Sequence, residues 1–329
     1  MRAIVVQEAG GPQVLELVER ATPEPGHGEL LVDVAAAGVN FIDTYQRSGA
    51  YPMTYPFVAG SEGAGRVRAV GAGVEDMAEG DLVAWAMVDG AGYASQVLVP
   101  ADRAVPVPDG VDAETAAAAM LQGMTAHYLT ESTFPLAAGD DVLVHAAAGG
   151  MGLLLTQVAT AKGARVIGTV STPEKAELAR GAGAVDVIVY GRGDGGHDVD
   201  VAARVRELTD GKGVEVVYDG VGRSTFAASL DSLATRGMLA LYGGASGKVD
   251  PVDPMTLNAK GSLFLTRPTL AHHILTRDEL LRRAGEVFEW IRSGTVEFRI
   301  GGRYPLEDAG RAHEDLEARR TTGKLLLVP

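Results

Sequence analysis

The chain of 329 residues contains no cysteine, few aromatic side chains (5%) and fewer cations than anions. Without cysteine there can be no disulfide, thiolate nucleophile, iron–sulfur cluster or cysteine-ligated zinc. The 29 Lys and Arg against 43 Asp and Glu leave a formal charge of −14. Such a chain has no global basic surface to displace counterions from nucleic acid and few rings on which bases stack, so no nucleic-acid partner is expected. Long hydrophobic runs are missing too. The longest, Leu82 to Val88, is far below the ~20 residues that cross a bilayer, and MRAIVVQEAGGP has no signal-peptide core. A cytoplasmic protein with no membrane partner is expected.

What is present divides near the middle. Hydrophobic residues make up 46% of the chain, and at roughly 150 residues per domain its length predicts two domains. From Met1 to about Ala119 short β-like runs (AIVVQ, LLVDVAAAGV, GRVRAVGAGV, DLVAWAMV, ASQVLVP) are cut by turns and prolines, which predicts a mostly β domain. Asp112 is placed to cap an Ala-rich helix running to Glu131. Strands and helices then alternate: strand 141–146, helix 150–162, strand 165–170, helix 173–180, strand 185–190, helix 199–209, strand 214–219, helix 223–235 and strand 237–243. Residues 262–265 offer a sixth strand. This alternation predicts a parallel sheet buried on both faces. The remainder (helix 278–292, a strand near Phe298, helix 307–319, strand 324–328) cannot bury its own apolar faces and is expected to return to the first domain. The predicted domains are therefore 1–119 with 266–329, and 120–265. The Gly- and Asp-rich stretch 191–198 reads as an exposed loop in which Arg-Gly-Asp is incidental.

The sharpest local signal is DVLVHAAAGGMGLLLTQVATAKGARVIGTV. A strand ends near His145 or Ala146, a turn of small residues follows, and a helix begins near Gly150. Ala147, Gly149 and Gly152 match the dinucleotide-binding spacing G-x-G-x-x-G with Ala in the first position. Small residues allow a pyrophosphate to approach the free N–H groups at the helix start, including those of Gly150 and Met151. A site for NAD usually carries an acid about 20 residues on, to hold the ribose 2′-hydroxyl. Here the second strand ends in Thr169-Val170-Ser171-Thr172. Ser171 can donate to a 2′-phosphate and Lys175 can bring charge to it. Two charge-assisted hydrogen bonds of about 1.5–3 kcal/mol each would favour NADP over NAD by roughly 10² to 10⁴. NADPH is the expected cofactor, although Lys175 also reads as an ordinary surface lysine.

The runs GVNFIDTYQRSGAYP (38–52), VAGSEGAGRV (58–67), LQGMTAHYL (121–129), HAAAGGMGLLLTQVA and SLFLTRPTL (262–270) resemble the zinc-independent quinone oxidoreductases of the medium-chain dehydrogenase/reductase superfamily, the zeta-crystallin group. The resemblance extends over nearly the whole chain. It implies an α/β protein with a GroES-like, mostly β catalytic domain and a doubly wound Rossmann domain, with the nicotinamide in the cleft between them. Zinc-dependent relatives use a Gly-His-Glu histidine and cysteines; this chain has Gly60-Ser61-Glu62 and no cysteine, so no metal is expected. Of the histidines, His272 and His273 are adjacent and point apart, and His127 and His145 read as packed or locally bonded.

The resemblance also implies roles. The catalytic set is Asn40, Tyr45, Tyr51, Thr125 and Arg267. Asn40, Tyr45, Met124 and Thr125 meet the nicotinamide, with Asp43 holding the loop. The phosphate turn is Ala147, Gly149, Gly150, Met151 and Gly152, and the 2′-phosphate pocket is Ser171, Lys175 and Tyr190. Tyr242, Gly243 and Gly244 cover the ribose, Leu265 and Arg267 lie by the carboxamide, and Lys324 lies near the cofactor. Plainer readings compete: Asp43 as a turn cap, Tyr45 and Tyr51 as packing aromatics, Arg267 as a solvated loop charge, Lys324 as decoration of an edge strand. The implied reaction is metal-independent hydride transfer from NADPH to a quinone, the proton coming from water, Tyr45 or a ribose hydroxyl. The alternatives are reduction of an α,β-unsaturated ketone or aldehyde, a nucleotide-bound structural or RNA-binding role, and nucleotide sensing without turnover. A homodimer through the apolar edge strand 261–266 is expected.

Overall fold

In a computed structural model, whose described residues are 1–191 and 199–329, the short apolar runs at the start of the chain pair as strands. They are β1 (Arg2–Val6), β2 (Leu15–Glu19) and β3 (Glu29–Val39), then, after helix α1 (Phe41–Arg47), β4 (Phe57–Val58), β5 (Glu62–Val70), β6 (Leu82–Ala86), β7 (Gln96–Pro100) and β8 (Val105–Pro106). Two features went unread in the sequence. LELVE forms β2, whose register against β1 runs from Arg2–Glu19 to Val6–Leu15. FIDTYQR forms α1, because Asp43 Oδ2 accepts the Asn40 N–H at 2.8 Å while the Asp43 N–H donates to the Asn40 carbonyl at 3.1 Å, closing the first turn.

Helix α2 (Ala113–Tyr128) starts where Asp112 accepts the Thr115 N–H at 2.9 Å and passes into a wider turn over Leu129–Thr133. The alternating region follows as β9 (Asp141–Val144), α3 (Gly150–Ala161), β10 (Arg165–Val170), α4 (Pro173–Gly181), β11 (Asp186–Val189), α5 (Val201–Leu208), β12 (Val214–Asp219), α6 (Phe226–Ser232), β13 (Leu233–Leu241), α7 (Pro254–Ala259) and β14 (Phe264–Thr266). Its six-stranded sheet is parallel throughout, in the order β11-β10-β9-β12-β13-β14. The expected helix 223–235 is shorter at both ends. Asp219 accepts the N–H groups of Val221 and Gly222 and commits that stretch to a turn. Leu233 and Ala234 are buried as the start of β13, and Arg236 kinks that strand at φ 64°. The stretch 192–198, including the Arg-Gly-Asp triplet, lies outside the described residues.

The chain ends with α8 (Arg277–Arg292), β15 (Ile300–Pro305), α9 (Ala309–Glu317) and β16 (Lys324–Val328). The strand read near Phe298 is instead IGGRYP. Two glycines lower its strand propensity, yet a Cβ on Gly301 would lie 2.9 Å from the Thr322 carbonyl carbon, so β15 reaches its parallel partner β16 only with glycine there. β16 in turn runs antiparallel to β3, with Leu325 opposite Val39 and Leu327 opposite Ala37.

Contacts divide the chain into two units, Met1–Met124 with His273–Pro329, and Thr125–His272. The first has a core of Ile4, Leu30, Val32, Trp85, Tyr93, Leu325 and Leu327. The second has a core built on Leu143, Ile167, Val217 and Leu239. Each such side chain, fully buried, contributes about 1.5–3 kcal/mol. Among the described residues no helix is long and apolar enough to cross a membrane.

Candidate active site

In the second unit β9 stops at Val144, so His145 and Ala146 already belong to the turn. Ala146, not the first fingerprint residue, takes the left-handed conformation (φ 51°), and its carbonyl accepts the Gly149 N–H at 2.8 Å. Ala147 fits because β10 carries Gly168 beside it, where an added Cβ would lie 2.8 Å from the Ala147 methyl. A Cβ on Gly152 would come within 2.7 Å of Ala147 Cα and 2.8 Å of its carbonyl carbon. Helix α3 therefore begins tight against the strand end. Gly149 caps it with backbone alone, and among the described residues no side-chain cap hydrogen bond is made at its first turn, Gly150, Met151 and Gly152. A long helix with an uncapped N-terminus behind glycines fits a pyrophosphate, whose charge the N–H groups and the helix dipole stabilise.

The next strand end carries the groups expected to select the cofactor. Thr172 caps α4, its hydroxyl accepting the Lys175 N–H at 3.3 Å, so Ser171 and Lys175 flank that cap. The Tyr190 N–H donates to the carbonyl of Val170 at 3.0 Å, which sets Tyr190 beside Ser171 on the neighbouring strand end. Farther along the sheet, Tyr242 follows β13, and the Asp219 carbonyl accepts the N–H groups of Tyr242 and Gly243. The Tyr242 ring fills the space where a Cβ on Gly220 would stand, and Gly243 has Gly220 Cα 2.8 Å from its own missing Cβ. Gly244 follows in the same half-buried loop. Arg267, just beyond Leu265 and β14, donates to the Tyr242 carbonyl at 2.8 Å. It is exposed, and a second bond to the Pro268 carbonyl at 3.3 Å holds it in this loop.

Beneath these turns lies a buried polar chain that the sequence did not reveal as a unit. Asp219 Oδ2 accepts from Thr225 at 2.7 Å and from Ser229 Oγ at 2.8 Å. Ser229 has spent its one proton, so at 3.0 Å it must accept from His145 Nε2, and His145 Nδ1 accepts from Thr169 Oγ1 at 3.0 Å. Burial lowers the His145 pKa, with Asp219 opposing, which fits this neutral tautomer. His145 thus joins the carboxyl ends of β9, β10 and β12. His127 is fully buried.

In the first unit Asn40 stands at the start of α1. The Asn40 N–H donates to Asp43 Oδ2 at 2.8 Å, and the Tyr93 hydroxyl donates to the same oxygen at 2.9 Å. Arg47 Nη1 can only donate, so His313 Nδ1 accepts from it at 3.2 Å and His313 Nε2 donates to Tyr93 at 2.9 Å. Burial and Arg47 lower the His313 pKa to about 3. Burial raises that of Asp43 to about 7 despite its hydrogen bonds, and Asp43 Oδ1 is buried without a partner. Asp43 is thus a cap, as its plainer reading had it, and also the end of a buried relay. The Asn40 carboxamide lies between charges: Nδ2 donates to Glu62 Oε2 at 2.7 Å, and Oδ1 accepts from Lys324 Nζ at 2.7 Å. Lys324 is not edge decoration. It is buried, lies on a strand between β15 and β3, and pairs with Glu62 at 2.5 Å. Tyr45 is half-buried, with the ring of Tyr51, itself exposed, tilted against it at a centroid distance of 5.3 Å. Met124 and Thr125 are buried near the end of α2.

Among the described residues no group of three or more His, Asp or Glu could hold a metal ion. At the Gly-His-Glu position Ser61 is buried with its hydroxyl unpartnered.

Residues 26–109 match the family model described as alcohol dehydrogenase GroES-like domain, and residues 150–288 that described as zinc-binding dehydrogenase. Over 321 residues the chain is 48% identical to the quinone oxidoreductase of Pseudomonas aeruginosa, covering 97% of both proteins. The chain belongs to the quinone oxidoreductase family of the medium-chain dehydrogenase/reductase superfamily. Within that family it is also 41% identical to a 2-haloacrylate reductase from a Burkholderia species, over 99% of this chain and 98% of that protein. A mycobacterial member solved in complex with NADPH superposes with a TM-score of 0.95 at 55% identity, over 100% of each chain. The family's GroES-like and Rossmann folds correspond to the first and second units. The match to the model described as zinc-binding dehydrogenase spans residues 150–288 and does not include Ser61.

Proposed function

We propose that this protein is an NADPH-dependent quinone oxidoreductase that works without a metal. The observation that carries the reading is the helix start behind Gly149, capped by backbone alone and with no room for a side chain at Gly152, together with Ser171 at the end of β10, Lys175 in α4 and Tyr190 at the end of β11, where an acid is missing. Family membership at 48% identity and the NADPH complex of a 55% identical relative support it.

The α3 N–H groups receive the pyrophosphate, and Ser171, Lys175 and Tyr190 receive the 2′-phosphate. Tyr242, Gly243 and Gly244 cover the ribose, and Leu265 and Arg267 the carboxamide. When bound, NADPH supplies a hydride from C4 of its nicotinamide, and the protein contributes orientation and electrostatics. Asn40, Met124 and Thr125 orient the reacting end, while Tyr45, with Tyr51 packed on its ring, presents a hydroxyl to the acceptor oxygen. The acidic surface and the lack of cysteine suit a cytoplasmic enzyme acting on small molecules. An exposed Phe264 on the edge strand β14 favours a homodimer.

The 2-haloacrylate reductase relative favours a second reading, reduction of an electron-poor alkene. Initial rates with NADPH and NADH against benzoquinone, a naphthoquinone, a simple enone and 2-chloroacrylate, in chelator-treated buffer, decide between them. Quinone turnover with NADPH preferred is the expected result; turnover of the alkenes alone would replace the first reading with the second.

A further inference from the structure

Glu62 is fully buried in a stretch of small residues, Ser61 to Ala64, and every bond it makes holds another part of the first unit. Its Oε2 accepts from Asn40 Nδ2 at 2.7 Å and from Lys324 Nζ at 2.5 Å. Its Oε1 accepts the backbone N–H of Leu121 at 2.5 Å. Leu121 lies inside α2, where an N–H ordinarily serves the carbonyl four residues back, so the carboxylate tethers the helix one turn before Met124 and Thr125. Room for the pair is kept by Gly38: a Cβ there would come within 2.8 Å of both Glu62 Cδ and Lys324 Cε. One ion pair thus joins the end of β3, the start of β5, the middle of α2 and the start of β16.

The pair also decides which way the Asn40 amide points. With a carboxylate on one side and an ammonium on the other, only the orientation with Nδ2 toward Glu62 and Oδ1 toward Lys324 is favourable. Fold stability alone does not call for two buried charges at this place, because well-packed apolar side chains of similar volume commonly serve as well or better. A geometry that must hold an amide and a helix turn in fixed relation does call for them.

We propose that Glu62 and Lys324 are positioning residues, a buried ion pair that sets the Asn40 carboxamide and the Met124–Thr125 turn of α2 for the reacting end of NADPH. The proposal rests on the function inferred above. Neither charge needs to touch the acceptor: Glu62 acts through Asn40 and the Leu121 N–H, and Lys324 through Glu62 and Asn40. Loss of the carboxylate frees the amide to rotate and releases the helix turn. It leaves untouched the groups at Ser171 and Lys175 that are assigned to the far end of the cofactor.

The test compares Glu62→Gln, Lys324→Met and the double variant Glu62→Gln/Lys324→Met with wild type in NADPH affinity, bound-nicotinamide fluorescence, quinone turnover and Tm. In Glu62→Gln we expect NADPH affinity within about threefold of wild type, a shifted nicotinamide emission, and kcat lower by about ten- to a hundredfold, the cost of slightly misplaced reacting groups. The double variant removes the stranded ammonium and is expected to regain Tm without regaining kcat or the emission. Should Glu62→Gln alone fail to fold, the double variant carries the same comparison. Recovery of kcat together with Tm, or a Glu62→Gln enzyme with wild-type kcat and emission, would overturn the proposal by making the pair merely structural. If wild type turns over no quinone, the assigned function fails instead, and the emission of bound NADPH still reports on the pair.

Discussion

The Tyr93 hydroxyl and the Asp43 carboxylate, 50 residues apart in the chain, meet at 2.9 Å inside the first unit. Burial dominates both groups, raising the Tyr93 pKa well above its usual value and that of Asp43 to about 7. A carboxyl whose folded pKa exceeds its unfolded value of 3.8 takes up a proton on folding. The stability it contributes is fully present below pH 3.8 and is lost as pH rises through about 7. His313 works in the opposite sense. Its folded pKa of about 3 lies below the unfolded 6.5, so its contribution is present above 6.5 and lost as pH falls through 3. His145, lowered by burial, acts in the same direction. We therefore expect wild-type stability to vary modestly between pH 4 and 7, the two senses offsetting each other. In Asp43→Asn, stability should climb with pH across that window by about 1 kcal/mol or more, since one pKa unit is worth about 1.4 kcal/mol. Urea unfolding at pH 4.5, 5.5 and 7 checks this; a variant whose pH dependence parallels wild type would refute the raised carboxyl.

Gly152→Ala places a methyl against the backbone of Ala147, which has no room to yield. The start of α3 must move away from the β9 turn. Overpacking of this kind costs about 1–3 kcal/mol, and NADPH affinity should fall by about tenfold or more, the loss of roughly 1.4 kcal/mol at the pyrophosphate. Fluorescence titration with NADPH measures it. Gly181, which has open space around its Cβ position, is the control and should tolerate Ala.

Ser171→Asp supplies the acid that the end of β10 lacks. The carboxylate can hold a ribose 2′-hydroxyl and repels a 2′-phosphate, so the preference for NADPH over NADH should drop by about 10² or invert. The ratio of kcat/KM for the two cofactors is the readout. An unchanged ratio would remove Ser171 from the 2′-phosphate pocket.

If β14 pairs with its counterpart in a second copy, Phe264→Glu puts like charges on the joining edge. Sedimentation at micromolar concentration should then show monomer for the variant and dimer for wild type; monomer in both would refute the pairing.

Much of the site was written in local sequence. The glycine spacing after β9 carries its own meaning, because a tight turn and a close helix start need small residues whatever surrounds them. The Asn40-x-x-Asp43 pattern is a capping signal, and it marks the start of α1, a helix that FIDTYQR does not announce by periodicity. Glu62 leaves a fainter trace, an acid amid small residues facing burial. Tyr93 and His313 leave none, since nothing near either in the chain hints at the other. The strand IGGRYP was equally hidden: its glycines answer the approach of Thr322, which no local pattern encodes.

Residue types and their short-range spacing thus determined the classes of element, the parallel sheet, the nucleotide turn and the exclusion of cysteine-ligated zinc. Those properties follow from backbone sterics and periodicity within a few residues. Tertiary structure alone decided that Lys324 faces Glu62 across 262 residues, and that Asp43, Tyr93 and His313 form one buried chain. Such meetings depend on the register of β16 against β3 and of β3 against β5, which is set by burial of whole strands. Only once those registers are formed do distant polar groups share a low-dielectric interior, where each must find its partner.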